Sequence, residues 1–157
     1  MTTTKRRGER QQRNPDLSVL ASKLTGSVQD ELFRRLAEQG HPDLHARHGA
    51  VLPYLDEDGA RATELARACG RHKQVVGRLV DELEALGYVE RRPDPADRRA
   101  KLVVPTEPGL EVMRLGDTIV AEIESRHADA VGRRTYAEFR NVMREMVEAS
   151  RPIRPIG

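Results

Sequence analysis

Between Leu65 and Val80 the chain carries four basic residues and no acidic one. Within that stretch, Arg71-His72-Lys73-Gln74-Val75-Val76-Gly77-Arg78 gathers side chains suited to reading duplex DNA. Gln can pair bidentately with adenine and Arg with guanine, and a Val methyl can meet the thymine methyl. A helix opening at this point also offers phosphate its N-terminal N–H groups. Arg71, His72, Lys73, Gln74, Val75 and Arg78 are therefore the first candidate contacts, although an ordinary solvent-facing helix would account for this stretch taken alone. A second cluster lies just downstream, where Arg91, Arg92, Arg98, Arg99 and Lys101 flank the turn Pro93-Asp94-Pro95-Ala96-Asp97. Guanidinium groups on a narrow hairpin suit the concentrated negative potential of a minor groove, which adds Arg91, Arg98, Arg99 and Lys101 to the candidates. Asp97 would repel phosphate unless paired, so it is expected to orient Arg99 or a helix arginine such as Arg78.

These side chains need elements to carry them. Leu65 and Ala66 face inward on a short helix over 63–69, Gly70 breaks it, and 72–86 places Val75, Val76, Leu79, Val80, Leu83 and Leu86 on one broad face before Gly87 ends the helix. Two helices around a glycine turn form a helix-turn-helix. Residues 88–92 and 100–104 are rich in β-formers on either side of turn chemistry, giving a hairpin wing. Upstream, Leu17, Leu20, Leu24, Val28, Leu32 and Leu36 recur at spacings of three and four, the stripe of a long helix. A second helix is expected over 44–56, with Val51, Leu52 and Leu55 inward and Pro53 bending its last turn. Downstream, Thr106 caps a helix over 107–131 with Pro108 in its first turn. Thr135 and Glu138 make a capping box for a last helix, whose apolar face holds Tyr136, Phe139, Val142, Met143, Met146 and Val147.

The expected organisation is a mainly α fold with a small β-hairpin wing. It has a disordered basic arm (1–15), an N-terminal dimerisation helix (16–42), a winged helix-turn-helix DNA-binding lobe (43–105), C-terminal dimerisation helices (106–150) and a tail (151–157). Charge supports this division. Residues 1–14 hold five basic and one acidic residue, 65–80 four and none, and 88–101 five and three, which leaves the rest of a +2 chain at −8. Positive charge concentrated in three segments suits a polyanion. The stripes over 17–36 and 110–147 exceed what one lobe can bury, so a second copy is expected to cover them.

The segment from Arg78 to Thr106, with Gly87-Tyr88-Val89-Glu90-Arg91-Arg92 leading into Asp97-Arg98-Arg99 and Leu102-Val103-Val104-Pro105-Thr106, resembles the MarR family of bacterial regulators. The resemblance spans 44–109 by motif and the flanking helices by pattern. It implies a winged helix-turn-helix homodimer with interlocking terminal helices, and it implies that Arg99 reaches into the minor groove. His72 departs from the Thr or Ser of the family near the recognition-helix start. Pro108 and Ala46-Arg47-His48 also depart from the common residues at their helix starts. The function so implied is a sequence-specific transcriptional regulator of double-stranded DNA at a pseudo-palindromic operator, a repressor released by a small-molecule effector. The effector cleft of such proteins makes His45 and His48 candidate pocket residues.

Other chemistries find less support. Cys69 is the sole cysteine, which excludes an intrachain disulfide and a multi-thiol metal site and fits a reducing cytoplasm. It is expected to be a buried small hydrophobe. His41, His45 and His48 are spaced for one helix face, as in a metal site or pH sensor, yet Pro42 separates the first of them, and polar residues at a helix start explain the trio. His127 is expected to sit at a dimer face. No metal or cofactor is expected. Neither a phosphate loop, a G-x-S-x-G elbow nor an H-E-x-x-H is present, so no enzyme is expected. No segment reaches the roughly 18 apolar residues of a membrane span, and the first residues lack the apolar core of a secretory signal. The alternatives that remain are a metal-responsive winged-helix regulator and a non-specific architectural DNA-binding protein.

Overall fold

Leucine spacing and the Asp16 turn set the first element. The main chain of Asp16 is extended, and its carbonyl accepts from the Val19 and Leu20 N–H groups at 3.0 and 3.1 Å, opening helix α1 (Leu17–Glu38). The computed structural model describes Gly8, Glu9 and residues 12–150. Most of the expected basic arm and the whole 151–157 tail lie outside the described residues. Only the C-terminal part of the α1 stripe is buried, at Phe33 and Leu36, while Leu17, Leu20 and Leu24 are exposed.

The helix expected over 44–56 is replaced by two 3-10 turns, Ala46–Ala50 and Leu52–Tyr54. Two features account for this. Pro53 has no N–H to give an α-helix, and Gly49 lies beneath the Phe33 ring, where a Cβ would come within 3.2 Å of it. The hydrogen bonds tighten to the i→i+3 pattern, His48 to His45 and Val51 to His48. Val51 and Leu55 are buried as expected; Leu52 is only half-buried.

The helix-turn-helix follows as α2 (Ala62–Ala68) and α3 (Lys73–Ala85). Val76, Leu79, Val80 and Leu83 are buried, but Val75 and Leu86, expected on the same face, are exposed. Both lie at the margin of the stripe, so the buried face is narrower than the sequence pattern implies. Gly87 takes φ +81°, the left-handed conformation that ends helices at little cost for glycine, and Tyr88 N–H then bonds back to Leu83.

The wing strands are β2 (Val89–Pro93) and β3 (Lys101–Pro105), paired antiparallel with Arg91 opposite Val103. A further strand, β1 (Ala60–Arg61), completes a three-stranded sheet in the order β1-β3-β2. Two residues are too few to show alternation, so β1 leaves no sequence signal. Helix α4 (Glu107–Val131) starts against this sheet. The Thr106 hydroxyl oxygen accepts from Gly109 N–H at 3.2 Å, while its O–H donates to the Gly87 carbonyl at 2.6 Å.

The chain divides into two compact units, the first closing at Asp117 and the second opening at Thr118, within α4. In the second unit, Ile119 and Ile123 are buried, and α5 (Arg133–Ala149) follows Gly132. The expected capping box is absent. Gly132 is the N-cap and the helix begins two residues before Thr135, so Glu138 pairs instead with Arg134 at 3.0 Å. Arg140 reaches Glu124 at 3.2 Å, and His127 lies against Tyr136 with ring centroids 6.5 Å apart. Phe139, Val142, Met146 and Val147 are exposed along α5.

At Gly109 a Cβ would sit 2.0 Å from the Tyr88 carbonyl oxygen, a backbone atom that cannot yield. Gly109→Ala is therefore expected to destabilise the fold by about 2 to 4 kcal/mol through displacement of the α4 start. Chemical denaturation measures it, and an unchanged midpoint would contradict this packing.

Candidate nucleic-acid interface

The turn between α2 and α3 is closed by backbone bonds, Cys69 N–H to Leu65 and Arg71 N–H to Ala66. His72 is the extended N-cap of α3, and its side chain makes no cap bond. The first turn of α3 therefore leaves N–H groups directed outward. Arg71, His72, Lys73, Gln74, Val75 and Arg78 are all exposed, on the side away from Val76, Val80 and Leu83. Among the described residues, none of Arg71, Lys73 and Arg78 has a carboxylate partner.

The other half of α3 is acidic, with Asp81, Glu82 and Glu84. Each acid is engaged from the side. Arg91 on β2 reaches Asp81 at 2.5 Å and also pairs with Glu84, and Glu84 accepts the Arg91 backbone N–H at 3.1 Å. On the opposite flank Glu82 accepts from Arg47 Nε at 2.7 Å and His48 Nε2 at 3.1 Å. The Arg47 and His48 hydrogen bonds, in that order, hold the Glu82 carboxyl below the usual range. Arg91, expected to contact DNA, has its guanidinium paired with two helix carboxylates because β2 runs beside α3. Its neighbour Arg92 pairs with Glu90.

At the wing tip Asp94 is buried. Its carboxylate accepts Ala96 N–H at 2.8 Å and Arg61 Nε at 2.7 Å. The Ala96 bond first and the Arg61 bond second hold the acid below the usual carboxylate range. Asp97 plays a different part from the one expected. Its carboxylate accepts the backbone N–H of Arg99 at 3.0 Å, shaping the turn rather than gripping the guanidinium of Arg99 or Arg78. The wing is tied to β1 by Arg61 and Asp94, which lie 33 positions apart, too distant for any spacing rule. Arg98, Arg99 and Lys101 remain exposed and without a carboxylate partner among the described residues.

The histidines separate. His41 Nδ1 shares a 2.9 Å hydrogen bond with the Tyr88 hydroxyl. His48 is fully buried, and its Nδ1 accepts the His45 backbone N–H at 3.0 Å. The remaining proton of the neutral ring therefore lies on Nε2 and is donated to Glu82. Burial lowers the His48 pKa, with the Glu82 bond opposing and the Arg47 charge assisting. Among the described residues no three potential ligands are grouped to hold a metal. A cavity of about 740 Å³ opens between the first 3-10 turn and α3, lined among others by Arg47, Cys69, Arg71, Gln74, Arg78 and Glu82. Neither His45 nor His48, the candidate pocket residues, is in its lining. Cys69, expected to be buried, is half-exposed on its wall.

Helix, turn, helix and a three-stranded wing, each of the last helix and the wing bearing exposed cations, define a winged helix-turn-helix protein. Residues 43–100 match the model of the MarR family. An uncharacterized protein of Mycobacterium tuberculosis is 28% identical over 119 residues, 76% of this chain and 81% of that one. The crystal structure of CouR from Rhodococcus jostii RHA1 bound to p-coumaroyl-CoA is similar at a TM-score of 0.67 and 27% identity, covering 83% of this chain and 91% of that one. A MarR-family transcriptional regulator from Rhodococcus sp. RHA1 gives a TM-score of 0.66 and 26% identity, over 83% and 93% of the two chains. Residues 43–100 thus carry the MarR-family match, and over most of its length the chain is similar to MarR-family winged-helix regulators.

Because the folded state lowers the His48 pKa below 6.5, it binds fewer protons there than the unfolded chain. The stability this confers is complete above about pH 6.5 and is lost as pH falls through the lowered value. Denaturation at stepped pH is expected to show wild-type stability declining below about pH 6.5 and a smaller decline in His48→Gln. Equal slopes in the two proteins would contradict the assignment.

Proposed function

We propose that this protein is a homodimeric, sequence-specific DNA-binding repressor of transcription, released by a small anionic molecule. The observation that carries the reading is the division of α3. Its exposed N-terminal half presents Arg71, Lys73, Gln74 and Arg78 without acidic partners among the described residues, while its three acids are drawn to the flanks. In this reading the 43–105 lobe lays that half of α3 in the major groove, with Gln74 and Val75 toward base edges. Arg98, Arg99 and Lys101 follow the adjoining minor groove.

The dimer rests on apolar surface. Leu17, Leu20 and Leu24 on α1 and, in the second unit, Phe139, Val142 and Met146 on α5 are exposed, more than a soluble monomer ordinarily presents. A second copy covers them, and two-fold symmetry then sets two recognition helices about 34 Å apart on a pseudo-palindromic site. Effector response rests on the cavity beside α3, where Arg47, Arg71 and Arg78 favour an acid. CouR is solved with p-coumaroyl-CoA, and a ligand lodged here would meet the same side chains that face DNA. Catalysis forms no part of this function. The compartment that follows from a DNA partner is the cytoplasm.

Selection from random-sequence duplexes followed by mobility shifts tests the proposal. Wild type is expected to enrich a pseudo-palindrome and to bind it less tightly as salt rises, with a log–log slope near −0.9 per phosphate contact. Arg99→Ala is expected to weaken binding to most sequences, whereas Gln74→Ala costs about 1 to 3 kcal/mol at particular base pairs. Failure to enrich any sequence would overturn the reading in favour of an architectural role.

A further inference from the structure

The three carboxylates of α3 do not share one face. At 3.6 residues per turn, Asp81 and Glu84 lie toward β2, while Glu82 lies roughly 80° around the axis from Gln74 on the other flank. Arg91 braces the helix from only one side of its buried stripe of Val76, Val80 and Leu83. Glu82, held by Arg47 and by the ring of His48, restrains it from the side of the first 3-10 turn. A rotation of roughly 20° moves a side-chain tip at a radius of about 6 Å by about 2 Å, enough to break a bidentate contact to a base. Long arginine and lysine side chains follow phosphate through such a shift; a glutamine on a base edge cannot.

The grip on Glu82 is made by a neutral imidazole. His48 Nδ1 accepts the His45 N–H at 3.0 Å, so a second ring proton would face a donor. The charged or titratable groups around the ring are Glu82 on α3 and Arg47 and His45 on its own turn. From α1, Phe33 and Gln29 lie against the neighbouring Gly49, and neither carries charge. The ring is fully buried, so a protonated His48 has no water to replace the lost acceptor. It is relieved when the short 3-10 turn opens, and opening takes His48 and Arg47 away from Glu82 together.

We propose that Glu82 is a positioning residue for DNA reading, fixing the rotation of α3 through Arg47 and neutral His48, and that protonation of His48 releases this hold and lowers sequence discrimination. The inference rests on the DNA-binding function proposed above and adds to it a residue that touches no base and a response to acid.

The test uses the full-length protein with two probes, the duplex enriched by wild type at about pH 7.5 and a random-sequence duplex of equal length. Glu82→Gln keeps the shape and removes one negative charge. It is expected to bind the random duplex at least as well as wild type while losing about tenfold on the enriched duplex. Arg47→Ala, a change at a half-exposed side chain, is expected to lower the same ratio and carries the test should Glu82→Gln fail to fold. In wild type the ratio of enriched to random affinity is expected to fall between about pH 7.5 and about pH 5.5, and in His48→Gln to stay level. Use of a ratio cancels the general gain in affinity that a more positive protein has for any duplex at lower pH. Equal gains of Glu82→Gln on both duplexes would overturn the proposal, since charge alone then explains the residue. So would a level ratio in wild type. A wild type that enriches no duplex would instead fail the DNA-binding function itself.

Discussion

A recognition helix that must also pack into its own lobe carries both signs of charge, and the structure depends on how its negative half is kept from DNA. Asp81, Glu82 and Glu84 stand within two turns of Arg78. Left open, they would repel any phosphate that approaches Arg78. Instead Arg91 takes two of them from the wing side, and Arg47 with His48 takes the third from the other. The acids thereby become the attachment points of the helix, and its cationic half is left to face outward.

That arrangement gives the small elements around α3 their roles. The first 3-10 turn supplies two ligands for Glu82 at adjacent positions, Arg47 and His48, which its tight winding sets toward the helix. β2 supplies Arg91, and the partner strands hold β2: β3 by ladder bonds and β1 through Arg61 to Asp94. Partly exposed ion pairs contribute little to stability one at a time. Their effect here is geometric, since together they tie α3 to its lobe from both flanks.

Much of this was legible in the sequence. The helix-turn-helix, the wing and both long helices follow from periodicity, Gly70 and Gly87, and the turn between Pro93 and Asp97. The cationic cluster from Arg71 to Arg78 follows from composition. What the sequence hid are contacts made at a distance: Arg47 with Glu82 across 35 positions and Arg61 with Asp94 across 33. Arg91 shows the cost, because a basic residue on a wing looks the same whether it meets phosphate or a neighbouring helix. The 3-10 turns were missed for a related reason. Val51, Leu52 and Leu55 suggest a helical face, and only the packing of Gly49 under Phe33 and the missing N–H of Pro53 reveal the tighter winding.

The central claim is that the N-terminal half of α3 enters the major groove of DNA while its acidic half stays bound to its own lobe. Guanine N7-methylation interference on an enriched duplex, read together with hydroxyl-radical footprinting, tests it most directly. The account predicts interference in two half-sites about 34 Å apart, each flanked by protected minor-groove sugars where the wings lie. Binding that tolerates N7 methylation throughout the duplex, or protection confined to the minor groove, would contradict it.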